Sequence, residues 1–121
     1  MATRSIIKFE GSNVIVYKHW DGYPSATYPW LAHFNEEFSI ARGEDVIYKM
    51  AALLRSSILD ADKFNLPKDP FTGWGIMDVK DQSECWAEYF YTLKLNGKVE
   101  VRTNVEGKPL TKVQLTKEMK K

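Results

Sequence analysis

Residues 89–105 read YFYTLKLNGKVEVRTNV and contain two alternating apolar runs that flank Asn96 and Gly97. A two-residue turn would place apolar side chains of the first run opposite charged ones of the second. A three-residue loop over 95–97 instead pairs Leu93 with Val99, apolar with apolar. Since the buried face determines the register of a strand pair, the sequence predicts a hairpin with a bulged three-residue loop and a left-handed Gly97.

A second hairpin is predicted at the N-terminus, where residues 5–9 and 14–19 flank the turn-forming tetrad Glu-Gly-Ser-Asn. Residues 14–17 are apolar on both sides, which indicates a strand covered on both faces, by its own domain or by a partner subunit. The segment 20–30 is predicted to be a loop, followed by a helix that begins near Thr27. A second amphipathic helix follows, with Glu44 and Asp45 in its first turn. The predicted fold class is therefore α+β, an antiparallel sheet of two hairpins with two consecutive helices packed on it.

Size and composition indicate one soluble domain over residues 1–121. The chain has 17 Lys and Arg against 16 Asp and Glu, and this balance argues against a general DNA or RNA binder. No apolar run approaches the roughly 18–20 residues of a membrane span, and the first residues lack the apolar core of a secretion signal. The single cysteine, Cys85, is typical of the reducing cytoplasm.

Catalytic and metal-binding motifs are scarce in the sequence. Gly73-Trp74-Gly75 continues without the third glycine of a dinucleotide-binding turn, and no phosphate-binding loop occurs. His19, His33 and Cys85 are too few for a structural zinc site. We therefore expect neither a metal nor a cofactor, and we expect a binding protein rather than an enzyme.

Aromatic residues, in contrast, are abundant, with four Trp, six Tyr and six Phe. One face of the C-terminal hairpin is predicted to combine rings with a guanidinium and an amide. This face carries Trp86, Glu88, Phe90 and Thr92 beside Glu100, Arg102 and Asn104; the candidate binding residues are Trp86, Phe90, Arg102 and Asn104. A solvated sheet face would have this composition too, but aromatic and fixed polar groups together are also what a site for a flat, charged small molecule requires.

The second candidate cluster is the corner His19-Trp20-Asp21-Gly22-Tyr23-Pro24. As a structural corner, Gly22 would take a positive φ and the rings would cap the core edge. As a site, the indole and phenol would stack on a base while the imidazole and carboxylate bond ribose hydroxyls. Phe71 and Trp74 form a third group, either pinning a loop to the core or closing over a ligand.

The corner, set between an N-terminal hairpin and two helices, resembles the phage-encoded Thoeris anti-defence proteins of the first type. The resemblance implies a cytoplasmic protein of an infected bacterium that binds cyclic ADP-ribose isomers and holds them uncleaved. It also implies that some members hold cyclic oligonucleotides at a separate site formed by oligomer contacts. Lys108 and Lys112 are candidates for such an anionic-ligand site.

In this interpretation Trp20, Tyr23, Phe90 and Trp74 stack on the adenine, and Arg102 pairs with the pyrophosphate. His19, Asp21 and Asn104 bond ribose hydroxyls. A deep site in so small a chain is built most easily between subunits, so we expect a homo-oligomer. Two alternatives stay open: a nucleotide phosphodiesterase or glycohydrolase that uses Asp21 or His19, and a protein-binding inhibitor of a bacterial defence effector.

Overall fold

The computed structural model describes residues 3–58 and 73–121, which form a five-stranded sheet and three α-helices. The elements in chain order are β1 (Ser5–Phe9), β2 (Val14–Lys18), α1 (Pro24–Arg42), α2 (Val46–Ile58), β3 (Trp74–Asp78), a 3-10 helix (Val79–Cys85), β4 (Tyr89–Leu93), β5 (Val99–Arg102) and α3 (Lys112–Met119). The α+β class and the two helices on a sheet are therefore confirmed.

The sheet has the strand order β3-β2-β1-β4-β5 and is mixed rather than wholly antiparallel. The two predicted hairpins meet along β1 and β4, which run parallel, while the other three neighbouring pairs are antiparallel. Most of the sheet is antiparallel, as predicted. The parallel pair arises because the segment with the 3-10 helix, Val79–Cys85, crosses the sheet between β3 and β4, so that β4 runs in the direction of β3 and of β1. A parallel pair needs such a crossover.

The predicted register of the C-terminal hairpin is confirmed. Leu93 lies opposite Val99 and Tyr91 opposite Val101. The Lys94 N–H donates to the Lys98 carbonyl at 2.9 Å, so residues 95–97 form the loop, and Gly97 has a φ of 88°. The bulged loop keeps apolar residues of both strands on the face that the helices cover.

Two hydrophobic clusters lie on opposite faces of the sheet. The larger one joins the helix-covered face to α1 and α2; it contains Ile7, Phe9, Val16, Leu31, Leu53, Tyr91, Leu93 and Val101. The smaller one contains Ile6, Ile15 and Phe90, with residues of the 3-10 helix packed on it. Since Ile15 and Val16 point into different clusters, β2 is covered on both faces by its own domain.

Several predicted boundaries were wrong. The α1 helix begins at Pro24 rather than near Thr27, so the segment 20–30 is largely helical. Asp45 precedes α2 instead of lying in its first turn. From this position one of its carboxylate oxygens accepts a hydrogen bond from the Tyr48 N–H at 3.3 Å. Trp74 belongs to β3, which the sequence did not predict, and the C-terminal tail forms α3.

Candidate functional site

The corner of residues 19–24 connects β2 to α1 and is fixed to the sheet by hydrogen bonds. The Gly22 N–H donates to the Thr3 carbonyl at 2.9 Å, and the Tyr91 hydroxyl donates to the Gly22 carbonyl at 2.6 Å. The Thr27 hydroxyl donates to the Asp21 carbonyl at 2.6 Å. Because each bond reaches a different element, the corner has little freedom to move.

The left-handed residue of this corner is Asp21, with a φ of 55°, and not Gly22 as predicted. Gly22 is required for space instead. A Cβ at this position would lie 2.7 Å from the Ser5 Cβ and 2.8 Å from the Thr3 carbonyl oxygen. Contacts this short are repulsive, so the corner can approach β1 only where the side chain is a hydrogen atom.

Two rings of the corner are open to solvent on this fixed backbone. Trp20 is 49% exposed and Tyr23 is 38% exposed. The buried side of the Trp20 indole lies on Gly73, where a Cβ would come within 2.6 Å of the ring. His19 meets Trp20 edge-on at 4.8 Å between ring centroids. The predicted grouping of His19, Trp20, Asp21 and Tyr23 is thus a compact surface with free aromatic area.

Tyr17 is a member of this surface that the sequence analysis missed. Its hydroxyl lies 2.7 Å from Nδ1 of His19, a hydrogen-bond distance that orients the imidazole. The two residues are two apart on one strand, so they share a face of the sheet. Period-two spacing was therefore a sequence signal that could have identified Tyr17.

Lys18 lies on the other face of β2, beside the corner. Its ammonium donates to the Trp20 carbonyl and lies 5.7 Å from the centroid of the Trp74 ring. Burial lowers the pKa of Lys18, and the nearby charge of Asp21 opposes this shift. The Lys18 side chain therefore binds the backbone of the corner from the face of the sheet opposite to Tyr17.

Trp74 does not join the exposed rings. It faces the helices and meets Trp30 of α1 edge-to-face, with 5.8 Å between the centroids. Its ring is part of the packing around the larger cluster. Phe71, which was grouped with it, lies outside the described residues.

Phe90 is a core residue, which overturns its assignment to an open, ligand-binding face. The side chain is 5% exposed and packs with Ile6 and Ile15. The 3-10 helix covers this face, so a ligand could stack on the Phe90 ring only if the 3-10 helix were displaced. The prediction was wrong because the covering segment, Val79–Cys85, gave no amphipathic signal in the sequence.

Arg102 faces Phe90 across the β4–β5 pair as predicted, but its guanidinium has partners in its own chain. Nε donates to the Gly107 carbonyl at 3.0 Å, and Nη1 lies 3.3 Å from a Glu100 carboxylate oxygen. Arg102 and Trp74 lie on opposite faces and on the two outer strands, about 19 Å apart across four strand spacings. The expected convergence of all the rings on Arg102 does not occur within one chain.

The remaining predicted residues are exposed at separate places. Trp86 precedes β4, has a φ of 56° and is 79% exposed. Asn104 lines a shallow pocket of about 430 Å³ between the 3-10 helix and residues 104–106. Lys108 lies between β5 and α3, and Lys112 is the first residue of α3; both are exposed.

Among the residues that the structure describes, no cluster of His, Cys, Asp and Glu could hold a metal ion. Within those same two ranges, no helix has the length and apolar character to cross a bilayer. No protein-family model, curated protein or solved structure matches the chain.

Proposed function

We propose that this protein sequesters cyclic ADP-ribose-type immune signals, holding them without cleavage, and that it acts in the cytoplasm of an infected bacterium. The observation that supports the proposal is the rigid corner on which Trp20 and Tyr23 expose their rings beside His19. An adenine base stacks on such rings with roughly 1–3 kcal/mol per base. The resemblance of the corner to the Thoeris anti-defence proteins supplies the ligand class.

Within this proposal Trp20 and Tyr23 stack on the base, while His19 and Asp21 bond ribose hydroxyls. The Tyr17 hydroxyl at Nδ1 leaves Nε2 of His19 as the imidazole nitrogen that faces a ligand. Phe90 has no part in the site because it is buried. Sequestration is stoichiometric, so it requires tight binding, about −12 kcal/mol for a nanomolar Kd.

The test is a thermal-shift titration with cyclic ADP-ribose, followed by recovery of the ligand. A ligand that binds only the folded state raises the Tm. We expect Trp20→Ala to weaken binding about five- to 150-fold, the equivalent of one lost stacking contact. The matched control is Tyr48→Ala, which removes an exposed ring from α2, away from the corner.

Mass spectrometry of the ligand released by heating distinguishes sequestration from the enzymatic alternative. Unchanged cyclic ADP-ribose supports the proposal. A linear product would instead show a phosphodiesterase or glycohydrolase. If no nucleotide shifts the Tm and a host protein co-purifies through the exposed Trp86, the protein-binding inhibitor is the better interpretation.

The proposal includes a homo-oligomer, formed through β3 rather than through residues 14–17. A partner subunit was one of the two possible covers for the apolar residues 14–17, but β2 lies inside the sheet, between β1 and β3. In contrast, β3 is an edge strand, and its Ile76 is 68% exposed. An edge strand with an apolar surface can pair with a second copy of itself.

Light scattering after size-exclusion chromatography tests this interface. We expect Ile76→Lys to yield a monomer and the control Ile47→Lys, at an exposed isoleucine of α2, to leave the oligomer intact. A monomeric wild-type protein would remove the oligomer from the proposal. Retention of cyclic oligonucleotides by the oligomer, lost on Lys108→Gln and Lys112→Gln together, would support the second anionic-ligand site.

A further inference from the structure

Two charged residues lie side by side where β1 and β4 begin. The Glu88 N–H donates to the Arg4 carbonyl at 2.9 Å, just before Ser5 and Tyr89, the first pair of β1 with β4. On the other side of β1, Ser5 pairs with Lys18, and His19 follows Lys18 directly. Arg4 therefore lies between His19 and Glu88 at this end of the sheet, in the strand order β2-β1-β4.

The side chains of Arg4 and Glu88 have no partner in residues 3–58 and 73–121. Within these ranges they form no hydrogen bond or ion pair with each other or with another residue. Arg42 and Arg102, in contrast, are paired with Asp45 and Glu100. Arg4 is half-buried and Glu88 is exposed, so a guanidinium and a carboxylate that are unpaired among the described residues lie at this end of the sheet.

The chemistry of this pair fits a phosphorylated ribose. A guanidinium binds phosphate oxygens through two parallel hydrogen bonds. A carboxylate accepts hydrogen bonds from ribose hydroxyls, as acidic residues do in dinucleotide sites. His19 of the corner flanks the pair on one side, and the exposed Trp86 precedes it on the other.

We infer that Arg4 and Glu88 form a phosphate–ribose clamp, in which Arg4 rather than Arg102 binds the pyrophosphate of the ligand. This inference rests on the proposed function, since it assigns the anionic half of the same ligand. The adjacent carboxylate disfavours a bare anion, so the clamp prefers a molecule that has both phosphate and hydroxyl groups.

Calorimetric titration with ADP-ribose, cyclic ADP-ribose and inorganic pyrophosphate tests the clamp. We expect Arg4→Gln to weaken binding of both nucleotides at least about tenfold, the effect of losing a charge-assisted hydrogen bond. Glu88→Gln is expected to weaken both nucleotides but to strengthen pyrophosphate, because it removes a nearby negative charge. Arg55→Gln, at an exposed arginine of α2, is the matched control, and thermal melting without ligand verifies that each variant folds.

The outcomes separate the clamp from the proposed function. If Arg4→Gln binds cyclic ADP-ribose as tightly as Arg55→Gln does, the clamp is wrong and sequestration stands. If ADP-ribose is bound through Arg4 but cyclic ADP-ribose is not bound, the clamp stands and the proposed ligand is wrong. Binding of none of the three probes by the wild-type protein would overturn both.

Discussion

The substitution Tyr91→Phe tests whether the Tyr91 hydroxyl anchors the corner of residues 19–24 to the sheet. Tyr91 is fully buried in the larger cluster, and its hydroxyl donates to the Gly22 carbonyl at 2.6 Å. Burial is also the main reason why the pKa of Tyr91 lies well above its usual value. The hydroxyl is thus a permanent donor, and the phenylalanine variant removes it while the ring stays.

The expected loss of stability follows from the carbonyl group that the substitution leaves without a hydrogen bond. Loss of the hydroxyl leaves the buried Gly22 carbonyl without this donor, and an unsatisfied buried group costs about 1–3 kcal/mol. The volume of the ring hardly changes, so no large cavity adds to this loss. For a domain of this size the entropy of unfolding is about 0.25 kcal/mol/K, so the Tm should fall by about 4–12 °C.

Thermal and urea unfolding of Tyr91→Phe measures the effect, with Tyr48→Phe as the control. Tyr48 is an exposed tyrosine whose ring contact with Arg42 survives the substitution. We expect the control to melt within about 2 °C of the wild type, because exposed substitutions change stability little. Equal melting of the two variants would refute the idea that the Tyr91 hydroxyl anchors the corner.

Three further predictions concern single residues. The first is Gly73→Ala, which places a Cβ 2.6 Å from the Trp20 ring at a residue with a φ of 77°. It should displace the indole, which tryptophan fluorescence detects, and weaken cyclic ADP-ribose binding several-fold, which calorimetry measures. Lys49→Met should stabilise the fold by about 1–3 kcal/mol in urea unfolding, because this fully buried ammonium has no hydrogen-bond partner among the described residues. Burial lowers the pKa of Lys49, so the advantage of the variant should shrink as the pH rises through that lowered pKa. Burial and the Glu118 carboxylate raise the pKa of Tyr89 from 10.0 to about 12. The stability that Tyr89 contributes should therefore be complete below pH 10 and be lost as the pH rises towards 12. The variant Tyr89→Phe should not show this loss.

The C-terminal hairpin shows what the sequence can predict well. Its register depends on local information, namely the alternation of two neighbouring runs and one glycine that tolerates a positive φ. Only one loop length places Leu93 opposite Val99, and the structure has this pairing. Where all the information lies within 17 consecutive residues, elementary sheet geometry was sufficient.

The start of α1 shows where local rules conflict. A helix that begins near Thr27 would place Pro29 in its first turn, where the missing N–H costs little. In the structure Pro24 occupies the first turn, and Pro29 lies inside the helix. The missing N–H of Pro29 leaves the Ser25 carbonyl without its helical donor, and both residues are exposed, so water can serve instead. Thr27 is buried and bonds the corner rather than capping the helix.

The candidate site depends on topology, which the sequence analysis did not resolve. The residues of the corner are contiguous, so their proximity was predictable from the sequence. Arg4 and Glu88 are 84 positions apart and become neighbours only because β1 pairs in parallel with β4. An antiparallel pairing of the two hairpins would have separated them by the length of the strands.

The same topology explains why one arginine was assigned and another overlooked. Arg102 is conspicuous in the sequence because it lies on an alternating strand and is predicted to face the aromatic Phe90. In the structure, however, β5 is an outer strand, and the Arg102 guanidinium is bound by the Gly107 carbonyl and by Glu100. Arg4 has no motif around it, but it precedes the central strand, between the ends of β2 and β4. Strands two spacings apart are about 10 Å from each other, a width suited to a nucleotide. The end of the central strand thus places Arg4, which is unpaired in the part of the chain that the structure describes, between two aromatic segments, and no spacing along the chain could have indicated this.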